Sequence, residues 1–341
     1  MTKTKVAING LGRIGRAFLK TAWSEEQIEI VAVNDLGDLA NLAYLLKYDS
    51  AYGQSKLEIE TAPGQLIIAG RPIKFFQEKD PSQLPWADLE IDVVVESTGV
   101  FETYAKAQAH LKAGAKKVVI SAPVKDDPLA GIACSTVLMG VNDDDLSAQV
   151  MTSNGSCTTN ASAPLIRILD EALGIEKALL NTVHGYTASQ RLVDSPDQKD
   201  WRRGRAGAVN IVPSTTGAAQ TVGKVWPAIE GKFDGLSLRV PVLTGSIVDV
   251  TFISKRETSV EEVNAILTQA ASDTRWQGIF AVTTEPLVSA DIVGTPFASL
   301  ADLSLTKVVD GNLVKVLAWY DNEIGYAHTL VEHVIKSGRL I

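Results

Sequence analysis

The sequence predicts an α/β fold in two domains. The first is wound around a parallel sheet, and the second is α+β on a mostly antiparallel sheet. Three observations predict it. A glycine turn, Gly10-Leu11-Gly12-Arg13-Ile14-Gly15, sits between a short apolar strand and a helical segment. Short apolar strands then alternate with helices through Ile120, the pattern of crossover-linked parallel strands. Beyond Leu173 the β-like runs lengthen and the regular alternation with helices is lost.

In order, Lys5–Asn9 reads as a buried strand, Arg16–Ala22 as a helix, and Ile28–Val33 as a second strand ending in Asn34-Asp35. Each part suits a dinucleotide. Gly10 and Gly12 allow a tight turn and close backbone approach to a pyrophosphate, and Gly15 lets helix and strand pack closely. The helix N-terminus presents free N–H groups to the phosphates. Asp35 lies 20 residues after Gly15 (35 − 15 = 20), where a carboxylate can hold a ribose diol. This is the organisation of a Rossmann-type dinucleotide-binding domain. Val93–Glu96 is the next strand, ending in Ser97-Thr98-Gly99. Thr103–Gly114 follows as a helix closed by glycine, and Lys117–Ile120 as a strand ending in Ser121. Ligands bind at the carboxyl ends of such strands, so Ser97, Thr98 and Ser121 fall either at the cofactor or at ordinary strand-ending turns.

In the second half, Ala163–Leu173 reads as a helix. Leu179–Val183, Gly235–Val242, Ser246–Ile253 and Leu313–Tyr320 read as strands, and Glu261–Ala271 and Gly325–Ser337 as helices. The expected boundaries are 1–156 with the C-terminal helix 322–341 for the cofactor domain, and 157–321 for the catalytic domain. Apolar residues make up 45% and charged residues 21%, as in water-soluble globular chains. A formal charge of −8 argues against broad nucleic-acid binding. The N-terminus lacks a signal-peptide pattern, and no apolar run is long enough to span a membrane. Two cysteines make no disulfide framework and favour a reducing compartment, so a cytoplasmic location is expected. No metal site is expected.

One cysteine sits in Ser153-Asn154-Gly155-Ser156-Cys157-Thr158-Thr159-Asn160, among hydroxyls and amides. A thiol attacks carbonyls as thiolate, and its reference pKa of about 8.5 calls for a partner that lowers it. A helix starting just after Cys157 provides one such influence. A histidine provides more. Of the four histidines, His110 lies inside a first-domain helix, and His328 and His333 lie in or beside the terminal helix. His184 ends the strand Leu179–Val183, where a reacting side chain is displayed, and is the one chosen. Cys134 has no such neighbours and reads as structural. Lys199, Arg202, Arg203 and Arg205 crowd one segment of an otherwise acidic chain. Alternation puts Leu236, Leu238 and Val240 on one face of a strand, and Ser237 and Arg239 on the other. Arg239 is then a natural phosphate fork. Ser214-Thr215-Thr216-Gly217 precedes a helix and suits a second anion. Together these suggest a phosphorylated substrate.

At these residues the sequence resembles the phosphorylating glyceraldehyde-3-phosphate dehydrogenase family, nearly end to end. The strings that carry the resemblance include "INGLGRIGR", "ESTGVF", "SCTTN", "HGYT", "RRGRA", "NIVPSTTGAA", "LRVPV" and "WYDNEIGYAHTL". The resemblance implies NAD-dependent oxidation of glyceraldehyde 3-phosphate to 1,3-bisphosphoglycerate. Cys157 would form a thiohemiacetal and then a thioester, which inorganic phosphate cleaves. His184 would pair with the thiolate and act as base. The resemblance also implies Thr187 and Arg239 for the substrate phosphate, and Ser156, Thr158, Thr216, Gly217 and Arg203 for the attacking phosphate. It adds Arg13, Ile14, Lys79 and Asn322 to the cofactor set, and it implies a homotetramer whose inter-subunit loop is Asp194–Arg205. Ala161, Ser189, Lys79 and Ser195 depart from common family residues, and Ser195 blurs the choice between NAD and NADP. Asp35, followed by Leu36, Gly37 and Asp38, favours NAD. The alternatives are an erythrose-4-phosphate dehydrogenase and a non-catalytic dinucleotide-binding protein.

Overall fold

In a computed structural model that describes residues 3–198 and 200–341, Thr4–Asn9 forms β1 and Arg13–Ala22 forms α1. Ile28–Asn34 is β2 and Leu39–Lys47 is α2. Ile59–Ala62, Gln65–Ile68 and Arg71–Phe76 are β3, β4 and β5. Val93–Glu96 is β6, Tyr104–Lys112 is α3 and Lys117–Ile120 is β7. Cys134–Thr136 and Met151–Ser153 are β8 and β9. These strands form one nine-stranded sheet in the order β8-β9-β7-β6-β1-β2-β5-β4-β3. Every pair is parallel except β4 with its two neighbours. The central strands β1 and β6 are buried on both faces, which is why they read as continuous apolar runs. The register levels Asn9 with Asn34 and with Glu96, so β1, β2 and β6 end in one row. The β3–β5 strands had no sequence expectation, although Pro63-Gly64 and Ala69-Gly70 mark the turns between them.

The chain divides into two compact units. One holds Met1–Met139, Asp143–Gly155 and Thr329–Ile341, and contains the sheet above. The other holds Gly140–Asn142 and Ser156–His328. In it, Cys157–Leu173 is α4, Ile175–Gly185 is β10 and Val212–Thr215 is β11. Ala218–Val225 is α5, Phe233–Val240 is β12 and Ser246–Ser254 is β13. Val260–Ala271 is α6, and Phe280–Thr283, Ser299–Asp302 and Lys307–Val309 are β14, β15 and β16. Leu313–Tyr320 is β17, and Ile324–Arg339 is α7, whose residues from Thr329 on belong to the first unit.

The second sheet runs β11-β12-β10-β13-β17-β15-β14, with β16 also on β17. It is antiparallel except for β12 with β10 and β14 with β15. One face buries Val248, Val250, Phe252, Val314 and Val316, and α4 packs with α5 and α6. The alternation on β12 holds, and the covered face is the polar one. Ser237 is buried, whereas Leu236 lies 48% exposed. Arg239, on the Ser237 face, therefore points to the covered side of the sheet and is half-buried.

Candidate active site

The nucleophile helix begins earlier than Ala163 because Ser156 caps it. Ser156 is extended, its Oγ accepts the Thr159 N–H at 3.0 Å, and Cys157 becomes the first helical residue. The thiol thus meets the unpaired amides and positive end of α4. His184 is displayed near the end of β10, with Nε2 3.4 Å from the Cys157 sulfur. Arg239 is its register partner on β12, and its guanidinium sits against His184 Nδ1. Gly185 O lies 2.6 Å from His184 Nδ1 and 3.2 Å from Arg239 Nη1. With the Nδ1 proton donated to that carbonyl, Nε2 keeps its lone pair toward the sulfur.

Burial pushes the thiol up, while Arg239 and the Thr158 hydroxyl pull it down. Burial pushes His184 down to about 3, and Arg239 adds to that depression. Both groups lean to their neutral forms, because neither charge is solvated and the guanidinium repels an imidazolium.

Tyr320 escaped the sequence reading. Its hydroxyl lies 3.0 Å from Thr158 Oγ1 and 2.8 Å from Thr182 Oγ1, and its ring meets the His184 ring edge-on with centroids 5.9 Å apart. The signal was an aromatic closing the alternating strand Leu313–Tyr320. Thr158, expected at the attacking phosphate, is buried with its hydroxyl on Tyr320. Ser156 Oγ is shared with Thr159. The two hydroxyls are committed to the helix end and to its neighbours, because a buried hydroxyl without a partner is costly.

The other anion candidates gather around β11 and α5. Arg203 donates through Nε and Nη2 to Ser214 Oγ, at 3.1 and 2.9 Å. Arg239 pairs in register with Val212 of the same strand and feels the like charge of Arg203. Thr216 accepts the Ala218 N–H at 3.2 Å, and Gly217 caps α5 with no side-chain bond and open space on its Cβ side. Thr187 instead pairs with Ser189 on a loop, at 2.9 Å. Asn322 is buried, accepting from Ser246 and Thr244. Lys199 lies outside the described residues.

In the first unit, Gly10 has a φ of +95°, a conformation that glycine adopts without strain. A side chain at Gly15 would collide with the Gly10 carbonyl. Gly12 caps α1 without a side-chain bond and a side chain built there would meet nothing, which leaves an open cradle at the start of the helix. That cradle and its donors fit a dinucleotide diphosphate. The Arg13 guanidinium is used elsewhere, on Asp49 at 2.9 Å. Asp35 accepts Leu11 N–H at 2.6 Å and Gly37 N–H at 2.8 Å, so it also fixes the glycine turn. Ser97 Oγ donates to Gly10 O at 2.7 Å, and Ser121 N–H donates to Glu96 O. Lys79 is exposed. Among the described residues no helix is long and apolar enough to cross a membrane.

The family model described as "Glyceraldehyde 3-phosphate dehydrogenase, NAD binding domain" matches residues 4–104. With the cradle just described, it puts the chain in the class of NAD-dependent dehydrogenases. The model "Glyceraldehyde 3-phosphate dehydrogenase, C-terminal domain" matches residues 156–322. The chain is 46% identical over 337 residues to glyceraldehyde-3-phosphate dehydrogenase 2 of Streptomyces avermitilis, covering 98% of both. It is 47% identical to glyceraldehyde-3-phosphate dehydrogenase of Clostridium acetobutylicum, covering 96% of both, and 45% identical to glyceraldehyde-3-phosphate dehydrogenase 1 of Kluyveromyces lactis, covering 97% and 99%. The chain belongs to the glyceraldehyde-3-phosphate dehydrogenase family.

Proposed function

We propose that this enzyme oxidises glyceraldehyde 3-phosphate and phosphorylates the product through a covalent adduct on Cys157. The observation that carries the reading is a thiol on a helix N-terminus, 3.4 Å from a histidine nitrogen. His184 takes the thiol proton as sulfur attacks the aldehyde carbon, giving a thiohemiacetal. The oxyanion falls beside the Cys157 amide and the newly formed imidazolium. Bound NAD supplies the hydride acceptor for this oxidation. The imidazolium returns its proton to the oxyanion, which completes the thiohemiacetal hydroxyl and leaves a neutral imidazole, and His184 then removes that hydroxyl proton as hydride leaves and the carbon becomes a thioester. Inorganic phosphate attacks that carbon, the sulfur leaves, and 1,3-bisphosphoglycerate is released.

Arg239 and Thr187 hold the substrate phosphate in this scheme. Arg203, Thr216 and Gly217 receive the attacking phosphate, with Ser156 and Thr158 shaping the thiol side. Two neighbouring guanidinium groups and an uncapped helix end support an anion there. The cofactor set comprises Gly10, Gly12, Arg13, Ile14, Gly15, Asp35, Lys79, Ser97, Thr98, Ser121 and Asn322, with Arg13 and Ile14 acting through their amides. The working form is a cytoplasmic homotetramer. In support of it, both cysteines are free, and Leu192, Val193, Trp201, Val209 and Ile211 are exposed around the Asp194–Arg205 segment. Light scattering that gives a monomer mass would end the tetramer assignment.

The deciding assay follows NADH formation from glyceraldehyde 3-phosphate with and without inorganic phosphate, with erythrose 4-phosphate as a second aldehyde. Sustained turnover that needs phosphate and prefers the triose is the expected outcome. Equal turnover without phosphate would exclude the acyl-phosphate step.

A further inference from the structure

We propose that Glu96 is a positioning residue for the dinucleotide, holding the ends of three central strands in register beneath the cofactor. This rests on the reading that NAD lies at the carboxyl ends of β1, β2 and β6. Glu96 closes β6, an otherwise all-valine strand, and its residue is 2% exposed. Four donors converge on it. Asn9 Nδ2 and His110 Nε2 reach Oε2 at 2.6 and 3.0 Å. The Thr98 amide reaches Oε1 at 2.8 Å, and the Thr98 hydroxyl reaches the same oxygen.

The direction of each bond is fixed from outside. An indole N–H only donates, and Trp86 Nε1 lies 3.1 Å from His110 Nδ1. His110 must then carry its proton on Nε2 and give it to Glu96. A backbone amide also only donates, and Glu78 N–H reaches Asn34 Oδ1 at 2.8 Å. Asn34 therefore turns its amide nitrogen to Asn9 Oδ1, at 2.7 Å, and Asn9 turns its own nitrogen to Glu96. Two donor chains, each started by a group that cannot accept, end on one carboxylate. The three linked residues Asn9, Asn34 and Glu96 immediately precede Gly10, Asp35 and Ser97-Thr98. His110, Trp86, Asn9 and Asn34 are all buried, so water does not complete the set.

A carboxamide cannot replace this carboxylate. At the Oε2 position its NH₂ faces two donors, Asn9 Nδ2 and His110 Nε2, and at the Oε1 position it faces the Thr98 amide, where only the hydroxyl can turn to accept; His110 cannot exchange tautomers while Trp86 occupies Nδ1. Glu96→Gln should weaken NAD binding about tenfold or more, since bonds to a charged acceptor are lost. The rate of Cys157 alkylation without NAD should not change. In Trp86→Phe/Glu96→Gln, Nδ1 is free to take the proton and Nε2 accepts from the new amide, which relieves the His110 conflict and leaves the Asn9 one, so part of the affinity should return. Nitrogen-15 NMR of the His110 ring in the wild type, without NAD, should show the Nε2–H tautomer.

An E96Q protein that binds NAD like the wild type overturns the proposal. So does an Nδ1–H tautomer, or a double variant no better than the single one. If E96Q does not fold, the double variant decides: a folded double variant that binds NAD supports the assignment, and one that neither folds nor binds refutes it. Titrating the wild type with NAD in the same experiment tests the cofactor reading separately.

Discussion

Glu96 and His184 are equally hidden from solvent, each 2% exposed, yet their surroundings treat them differently. Around Glu96 every neighbour donates, and the protons are aimed by an indole and a backbone amide at the far ends of the chains. Around His184 the nearest charge is a guanidinium of the same sign as its own protonated form, and burial and Arg239 together hold it down to about 3. Burial alone therefore does not decide what a group can do. In one unit the buried polar group stays fixed in a single hydrogen-bonding pattern. In the other a buried imidazole stands 3.4 Å from a half-buried thiol, with a guanidinium on its far nitrogen.

The largest effect that separates the two regions is loss of the sulfur. Cys157→Ser should lower NADH formation by about 10⁴-fold or more, since a hydroxyl is far less acidic and less nucleophilic than a thiol at neutral pH. NAD affinity, which belongs to the other unit, should stay the same. A variant that keeps wild-type turnover would remove the covalent route.

Arg239 sharpens the comparison, because it is the charge that makes the His184 site unlike the Glu96 site. Arg239→Ala should reduce kcat/KM for glyceraldehyde 3-phosphate about ten- to a hundredfold, and that for unphosphorylated glyceraldehyde far less. The guanidinium lowers the thiol and lowers His184. Its removal should shift the alkylation midpoint of Cys157 to higher pH and make the imidazole easier to protonate. Equal losses with both aldehydes would detach Arg239 from the substrate phosphate.

Within the dinucleotide unit, Asp35 predicts a preference. Its carboxylate would meet a 2′-phosphate as a like charge, and Leu36 and Asp38 give no compensating cation. The ratio of kcat/KM for NAD over NADP should be about ten or more, and Asp35→Ser should shrink it. A ratio below one would overturn the role given to Asp35.

The smallest effect concerns a second buried imidazole, in the unit that holds Glu96. His333 lies between Thr152 Oγ1 at 2.8 Å and Asn154 Oδ1 at 3.0 Å, and burial drives it from 6.5 down to about 3. The unfolded chain therefore binds this proton first as pH falls. Stability from this group is intact above about pH 6.5 and is lost progressively toward pH 3. His333→Gln should be less stable at pH 7 by roughly 1–2 kcal/mol and lose less between those limits. Urea melts across the window measure both, and an unchanged slope would contradict the assignment.

What was legible in the sequence was mostly local. Gly10, Gly12, Gly15 and Asp35 lie within one strand–turn–helix–strand stretch, and their spacing alone carries a mechanism. Cys157 stood out because its neighbours are unusual in type, and His184 because it follows an apolar run. What was not legible depends on partners far apart in the chain. Thr158 meets Tyr320, and Glu96 meets Asn9, and no periodicity marks either pair. His110 was set aside as a helix residue for the same reason. On β12 alternation reported that two faces differ, while only the packing partner decides which one is covered. The start of α4 beside Cys157 was legible from the hydroxyls that can cap it, although the apolar pattern marks the helix only from Ala163.

The arrangement around Glu96 also bears on how this chain can vary. Because the protons all point inward, exchanging the acid for its amide is unfavourable on its own, while removing the indole first makes the same exchange less unfavourable. The order of two substitutions then matters more than either one taken alone. A random library of single changes would rank Glu96 as immovable, whereas a library of pairs that includes Trp86 would find part of a way through. Such order dependence is a property of hydrogen direction, and a list of contacts without donors and acceptors would not reveal it.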